Sequence, residues 1–299
     1  MLEKQVAGKP EDLVARTKLL GYYFGASGDA ARRSHVLWLI EHAPEAEVLG
    51  TPFGALDKKL DPEGYEQGKA AWGAALEKQP RNLKLLASAA RYFLLYDPEL
   101  TRQALTQGRS LDGANPEWPS ALGQSWMLQA RGRGGEVDAA AARNSLEFYE
   151  EAYRLAAGME QEVILASVAE SALAGGDREK AGTYARRMLD APGSGWNRGN
   201  NIHKGNIILG SLALQANDIE EAGRRLLEAG RTPGSPQLAS FGPNMALARD
   251  LLQRGERDTV LQYFDLCGVF WPGGKAKLQA WAAAVREGRT PEFGGNLAY

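Results

Sequence analysis

Cysteine is almost absent from this chain. A single residue, Cys267, occurs in 299, which excludes an intramolecular disulfide framework and the paired thiolates of a structural zinc site. Long apolar runs are missing as well: nowhere do about 18 apolar residues follow one another, so no membrane span is expected. Residues 1–10 are polar and carry no apolar stretch of signal-peptide length, and a cytoplasmic location is the expectation. Neither charge sign dominates, since 35 Lys and Arg face 37 Asp and Glu for a formal net charge of -2. The longest basic clusters are the pairs Arg32-Arg33, Arg186-Arg187 and Arg224-Arg225, each beside acidic residues or inside a helical pattern. They read as solvated helix faces, and no nucleic-acid partner is expected. Alternating β-branched runs are nearly absent too, which argues against sheets.

What is present is a composition of ordinary globular kind, 44% hydrophobic and 24% charged, which excludes disorder as the main state. Segments rich in Ala, Leu, Glu and Arg alternate with short Gly, Pro and Asn punctuation, the pattern of an all-α protein. Helices fit residues 11–26, 29–43, 63–79, 82–96, 97–109, 117–131, 137–157, 159–174, 177–191, 202–216, 218–230, 242–254, 256–270 and 274–288, about fourteen in all. Pro44, Pro80 and Asp97-Pro98 act as start or stop signals, Gly28-Asp29 breaks the first pair, and 132–136 reads as a flexible Gly-rich insertion. The tail from Pro291 is Gly-rich and is expected to be extended. Short connections force antiparallel neighbours, and no linker divides the chain clearly. One continuous array is therefore expected, with divergent helix pairs over 1–110, repeats over 111–271, and a capping helix and tail over 272–299.

Internal self-similarity is the strongest signal. Aligned on the turn dipeptides Gly176-Asp177, Asn217-Asp218 and Gly255-Glu256, three segments carry Val168-Ala169, Leu209-Gly210 and Leu247-Ala248 upstream. Downstream they carry Ala181, Ala185 and Met188; Ala222, Leu226 and Ala229; and Val260, Phe264 and Cys267. Thirteen residues separate the markers in every case, Val168 to Ala181, Leu209 to Ala222 and Leu247 to Val260. Small residues at Ala169, Ala181, Gly210, Ala222 and Ala248 let two helix backbones approach closely. The turn supplies a left-handed cap and then an N-cap.

These segments resemble tetratricopeptide repeats. Trp118, Leu122-Gly123 and Trp126 are similar to the first half of that pattern, with Ala142, Leu146 and Tyr149 arriving late as the second half. Pro192 and Pro233 fall near the family's terminal proline. The repeats are longer than the family's unit of roughly 34 residues, and the extra length lies in 193–201 and 232–240. Residues 1–110 match only loosely. The stretch 199–243 also resembles uncharacterised bacterial repeat proteins of this kind. The resemblance implies a right-handed α-solenoid and a protein or peptide partner held in the concave groove of the first helices, with no catalysis and no cofactor. The groove-facing positions it implies are Ser120, Gln124, Glu170, Lys204, Ser211, Gln215, Arg249 and Gln253, a mildly polar lining made basic by Lys204 and Arg249. Some relatives clamp a peptide carboxylate with Lys and Asn; Ile207, Ile208 and Ser211 occupy those offsets here, so that clamp is absent.

His35 and His42 share a helix face with Trp38 between them; packing beside aromatics is the expectation, and a metal site would need a further ligand. Cys267 reads as a small buried apolar residue. Gly273-Gly274-Lys275 precedes a helix without the strand or first glycine of a phosphate loop. Trp72, Trp118, Trp126, Trp271 and Trp281 suit core packing, whereas Trp196 lies in a Gly/Asn loop and reads either as a ligand platform or as a cap folded back on the array. The two long loops enter first helices and are expected to project from one edge. They offer Trp196, Arg198, Asn201 and His203, then Gln237, Ser240, Phe241 and Asn244, as a partner-binding edge. The alternative is that the loops pack on each other and seal the array. The competing functional class is an α/α-toroid enzyme or small-molecule binder, with acidic and aromatic residues crowding a cleft.

Overall fold

Helix starts in the first third of the chain are set by a polar side chain followed by proline or leucine. Asp61 accepts from the N–H of Gly64, with Pro62 as the first helical residue. Asn82 accepts from Lys84 and Leu85, and Pro98 follows Asp97. The Asp61 and Asn82 side chains satisfy N–H groups that the helix leaves without a partner, and Pro62 and Pro98 present no such group at the first helical position. The computed structural model describes residues 1–26, 29–131, 137–193 and 195–297. Among these are sixteen α-helices and five short 3-10 turns, with no strand. The chain is all-α, as expected. The expected insertion at 132–136 and Gly28 lie outside the described residues.

Two compact units divide the chain, Met1–Ser125 and Trp126–Tyr299. The first contains α1 (Leu2–Gly8), α2 (Leu13–Gly25), α3 (Asp29–His42), α4 (Pro62–Lys78), α5 (Leu83–Phe93) and α6 (Pro98–Leu111). The boundary falls inside α7 (Glu117–Ala130). Leu20, Val36, Leu39, Ile40, Tyr65, Trp72, Leu85 and Ala89 form the core of this unit. Tyr65 donates to Asp97 at 2.7 Å, and Tyr92 donates to the Tyr65 carbonyl at 2.9 Å. Helix α1 has no counterpart in the sequence reading. Its only buried residue is Val6, too little for a hydrophobic period, and it is held by long-range bonds from Glu3 to Tyr23 and His35.

The second unit continues with α8 (Ala139–Leu155), α9 (Gly158–Gly175), α10 (Arg178–Asp190), α11 (Arg198–Gln215), α12 (Ile219–Gly230), α13 (Pro236–Phe241), α14 (Ala246–Leu252), α15 (Arg257–Phe270) and α16 (Lys275–Arg286). The three aligned turns share one geometry. Gly176, Asn217 and Gly255 all take positive φ, at 83°, 62° and 89°. Asn217 is the one non-glycine residue with that sign among the described residues. In each turn the next N–H reaches back to the same helix position: Asp177 to Ala172 at 2.9 Å, Asp218 to Ala213 at 2.9 Å and Glu256 to Leu251 at 3.1 Å. Such back-bonds satisfy carbonyls at the end of the outgoing helix, and the aspartates then cap α10 and α12.

Packing follows the turns. α9 lies against α10 and α11, α11 against α12 and α14, and α12 against α15. Ala169, Ala181, Ala222 and Ala248 are completely buried. A Cβ at Gly210 would run into Leu247 and lie 3.1 Å from Arg225 Cβ and 3.4 Å from the Ala222 carbonyl oxygen. Three boundaries differ from expectation. α11 begins at Arg198 after a 3-10 turn at Gly195–Asn197, so most of the expected loop 193–201 is helical. The second expected loop contains α13, started by Pro236 with Ser235 capping Leu238. The tail is docked rather than free: Phe293 is buried against Trp281 and Phe264, and Asn296 donates to the carbonyls of Phe241 and Pro243.

Gly210→Leu is expected to destabilise the protein strongly, by roughly 1–3 kcal/mol or more, because it overpacks this close approach. Urea unfolding measures it, and an unchanged midpoint would place the α11–α12 contact elsewhere.

Candidate interaction groove

The site is built around α11, whose first turns are unusually polar for a buried helix. Asn197, Asn200, Asn201, His203 and Asn206 are all buried. A buried amide is tolerated only when its donors and acceptors are met, and here they are met by the segment from Thr232 to Gln237, by the segment before α11 and by α11 and α12 themselves. Asn200 donates to Gln237 Oε1 at 2.8 Å and accepts from Ser235 Oγ at 2.6 Å. Thr232 donates to the Gly199 carbonyl at 2.8 Å. Asn201 donates to the Pro192 carbonyl at 3.2 Å. A Cβ on Gly199 would run into the Gly234 carbonyl oxygen, so the two backbones touch there. Of the two readings of these segments, interlocking accounts for the observed geometry of this inner surface.

His203 is the centre of that interlock. It is 1% exposed. Its Nε2 accepts from the Asn244 N–H at 3.1 Å, which leaves the proton on Nδ1 to be donated to the Ala229 carbonyl, also at 3.1 Å. Both nitrogens are thus engaged in joining α11 to α12 and to the segment before α14. Burial pushes its pKa down from 6.5 to about 4, partly opposed by the Ala229 bond and reinforced by Lys204.

The remaining candidate residues divide by exposure. Trp196 at 47% and Phe241 at 65% are exposed apolar side chains, and Arg198 and Gln215 are exposed as well. Gln237 holds Asn200, as noted. Asn244 caps Ala246 through its Oδ1 and accepts from the Tyr263 hydroxyl with its carbonyl. Lys204 lies 2.8 Å from Glu170 Oε1, and Arg131 lies 2.9 Å from Glu170 Oε2. Burial works to raise the Glu170 pKa, but these two cations outweigh it and hold the carboxyl below its ordinary value. Arg249 lies 2.8 Å from Asp250. The basic contribution expected from Lys204 and Arg249 is therefore largely matched by neighbouring carboxylates.

Beyond this ion ladder a groove of about 320 Å³ opens between α11 and α14, lined by Ser211, Leu214, Gln215, Asp250, Gln253 and Arg254. Ser211 donates to the Ile207 carbonyl of its own helix at 2.9 Å, and Arg254 donates to Asn217 at 2.9 Å. The groove is polar, of mixed charge, and lies on the first helices that the repeat register singles out. The sequence reading missed the Glu170–Lys204 pair, although both positions already stood on its groove-facing list with opposite charge. It also missed the Asn-rich interlock, for which the only local signal was four asparagines within 197–206.

Other groupings resolve simply. His35 is buried, its Nε2 donating to Glu3 and its Nδ1 accepting from Arg16, both at 3.1 Å. His42 is exposed and stacks on Trp38 at 4.6 Å. Among the described residues no group of three His, Cys, Asp or Glu is placed to hold a metal ion, and no helix is long and apolar enough to cross a membrane. Cys267 is buried, which pushes its thiol pKa well up and leaves it a poor nucleophile. No family model and no curated protein matches this chain.

The low His203 pKa gives a pH dependence of definite sign. Between pH 6.5 and about 4 the unfolded chain takes up a proton here that the folded chain refuses. Stability is complete above that window and falls through it as pH drops, by about 3 kcal/mol at the lower end. His203→Gln should remove this part of the slope, read as the difference between the unfolding free energies of the two proteins across the window. Parallel curves would mean that the folded protein accommodates the imidazolium.

Proposed function

We propose that this chain is a non-catalytic scaffold of tetratricopeptide-like type. In this reading α9–α10, α11–α12 and α14–α15 are turns of a right-handed solenoid, and an extended peptide segment of a protein partner lies across the groove between α11 and α14. The observation that carries it is the threefold turn geometry. The same left-handed residue and back-bond recur at Gly176, Asn217 and Gly255, setting first helices side by side around an open cleft.

The chemistry of the cleft favours a polar, uncharged stretch of peptide. Asp250 and Arg254 already hold protein partners, whereas Gln215 and Gln253 are exposed and present amides able to bond an extended backbone. Trp196 and Phe241 are apolar side chains left in solvent near the start of α11 and the end of α13, suited to serve as anchors for flanking partner residues.

A random peptide library displayed against the intact chain tests this. Selected peptides should lose roughly tenfold or more in affinity (about 1.4 kcal/mol) with Gln253→Ala, and likewise with Trp196→Ala and Gln215→Ala, while the melting temperature stays nearly unchanged. Failure to select any binder, or binding that ignores all three substitutions, would overturn the assignment.

A further inference from the structure

Small side chains keep a pocket open in the first unit, where α5, α6 and the start of α7 meet. Its volume is about 220 Å³, below the range of about 300–1,000 Å³ common for drug-sized ligands, so it suits a smaller molecule. Ala90, Leu94, Leu105 and Ala121 supply its apolar surface. Trp118, which is buried, forms one wall. Its six-membered ring lies so close to Gly108 that a Cβ there would strike Cε3 and Cζ3, which seats α7 directly on α6.

The polar groups in this lining differ in commitment. The Thr101 hydroxyl is completely buried and turned to the carbonyls of Ala90 and Asp97, at 3.4 and 3.2 Å, so it serves the helix pair. Arg91 on α5 and Glu117 on α7 carry opposite charge, stand exposed and line the same pocket. Among the described residues neither side chain makes an ion pair, with the other or with any third group. Glu117, Ala121 and Gln124 fall on one face of α7, at the i, i+4 and i+7 positions, and the exposed Gln124 amide is uncommitted as well. Surface charges that meet gain little. Two opposite charges that share one small pocket without meeting leave space between them for a molecule that carries both signs.

We propose that this pocket binds a free α-amino acid with an aliphatic side chain. The carboxylate faces Arg91, whose guanidinium fork matches it in geometry as well as charge. The ammonium faces Glu117, and the side chain lies against Ala90, Leu94, Leu105 and Ala121. The Gln124 amide, with both donors and an acceptor, can bond either end. A singly charged ligand would leave one of the two lining charges unanswered. This inference is independent of the peptide-binding reading, since it uses only residues of the first unit.

Isothermal titration of the intact chain with L-leucine tests it, beside L-alanine, isocaproate, which lacks the ammonium, and isoamylamine, which lacks the carboxylate. L-leucine should bind saturably and tighter than L-alanine, by about fourfold for each added carbon. Either singly charged analogue should bind at least tenfold more weakly than L-leucine. The variants are Arg91→Gln and Glu117→Gln, both at exposed positions, with circular dichroism as the check on folding. Arg91→Gln should weaken leucine and isocaproate and leave isoamylamine unmoved; Glu117→Gln should weaken leucine and isoamylamine and leave isocaproate unmoved. No saturable binding at millimolar leucine, analogues that bind as tightly as leucine, or variants that bind leucine unchanged overturn the proposal. So does a library-selected peptide that loses affinity with either variant, because the pocket would then belong to the path of the peptide.

Discussion

Two helices can lie backbone to backbone only where nothing larger than a methyl group stands between them, and the second unit depends on that condition being met repeatedly. Ala169, Ala181, Gly210, Ala222 and Ala248 meet it. Gly210 is the tightest case, since even one added carbon would strike Leu247. Close approach maximises dispersion contacts along the whole helix length, and it also fixes where the outer side chains emerge. The left-handed turns at Gly176, Asn217 and Gly255 impose the same constraint from the other direction. They reverse the chain within a few residues, so the second helix of each pair is delivered to the face that the small residues have kept clear.

Polar chemistry takes over where this packing stops. Around the start of α11 the side chains facing inward are amides and an imidazole, and the neighbouring segment supplies the matching groups. A fully satisfied buried network is directional in a way that apolar contact is not. It fixes the segment 232–244 against α11 in one register, and Asn296 holds the carbonyls of Phe241 and Pro243 in the same manner. His203 can serve in this lattice only while neutral, because Nε2 must accept. The low pKa that keeps it neutral comes first from burial.

Much of this was legible in the sequence, for reasons that can be named. The all-α class, the positions of most helices and the three repeat turns are written locally, in Ala and Leu periodicity, in the caps at Asp61, Asn82 and Asp177, and in the Gly or Asn that permits positive φ. The burial of the five small residues followed from aligning the segments on those turns. What escaped notice depends on residues far apart in the chain. Helix α1 is anchored by Glu3 to Tyr23 and His35, Gly199 meets Gly234, and the tail is held near α13. The start of α11, where Gly199, Asn200 and Asn201 follow Asn197, looks like a loop to a local rule, because its polar side chains are matched only after the chain has folded back.

The same distinction bears on charge, which in the second unit serves the fold. In the second unit the cations on the inner face are answered: Lys204 and Arg131 by Glu170, Arg249 by Asp250. For the proposed peptide, recognition there falls to amides, to the shape of the cleft and to the few aromatic side chains left in solvent.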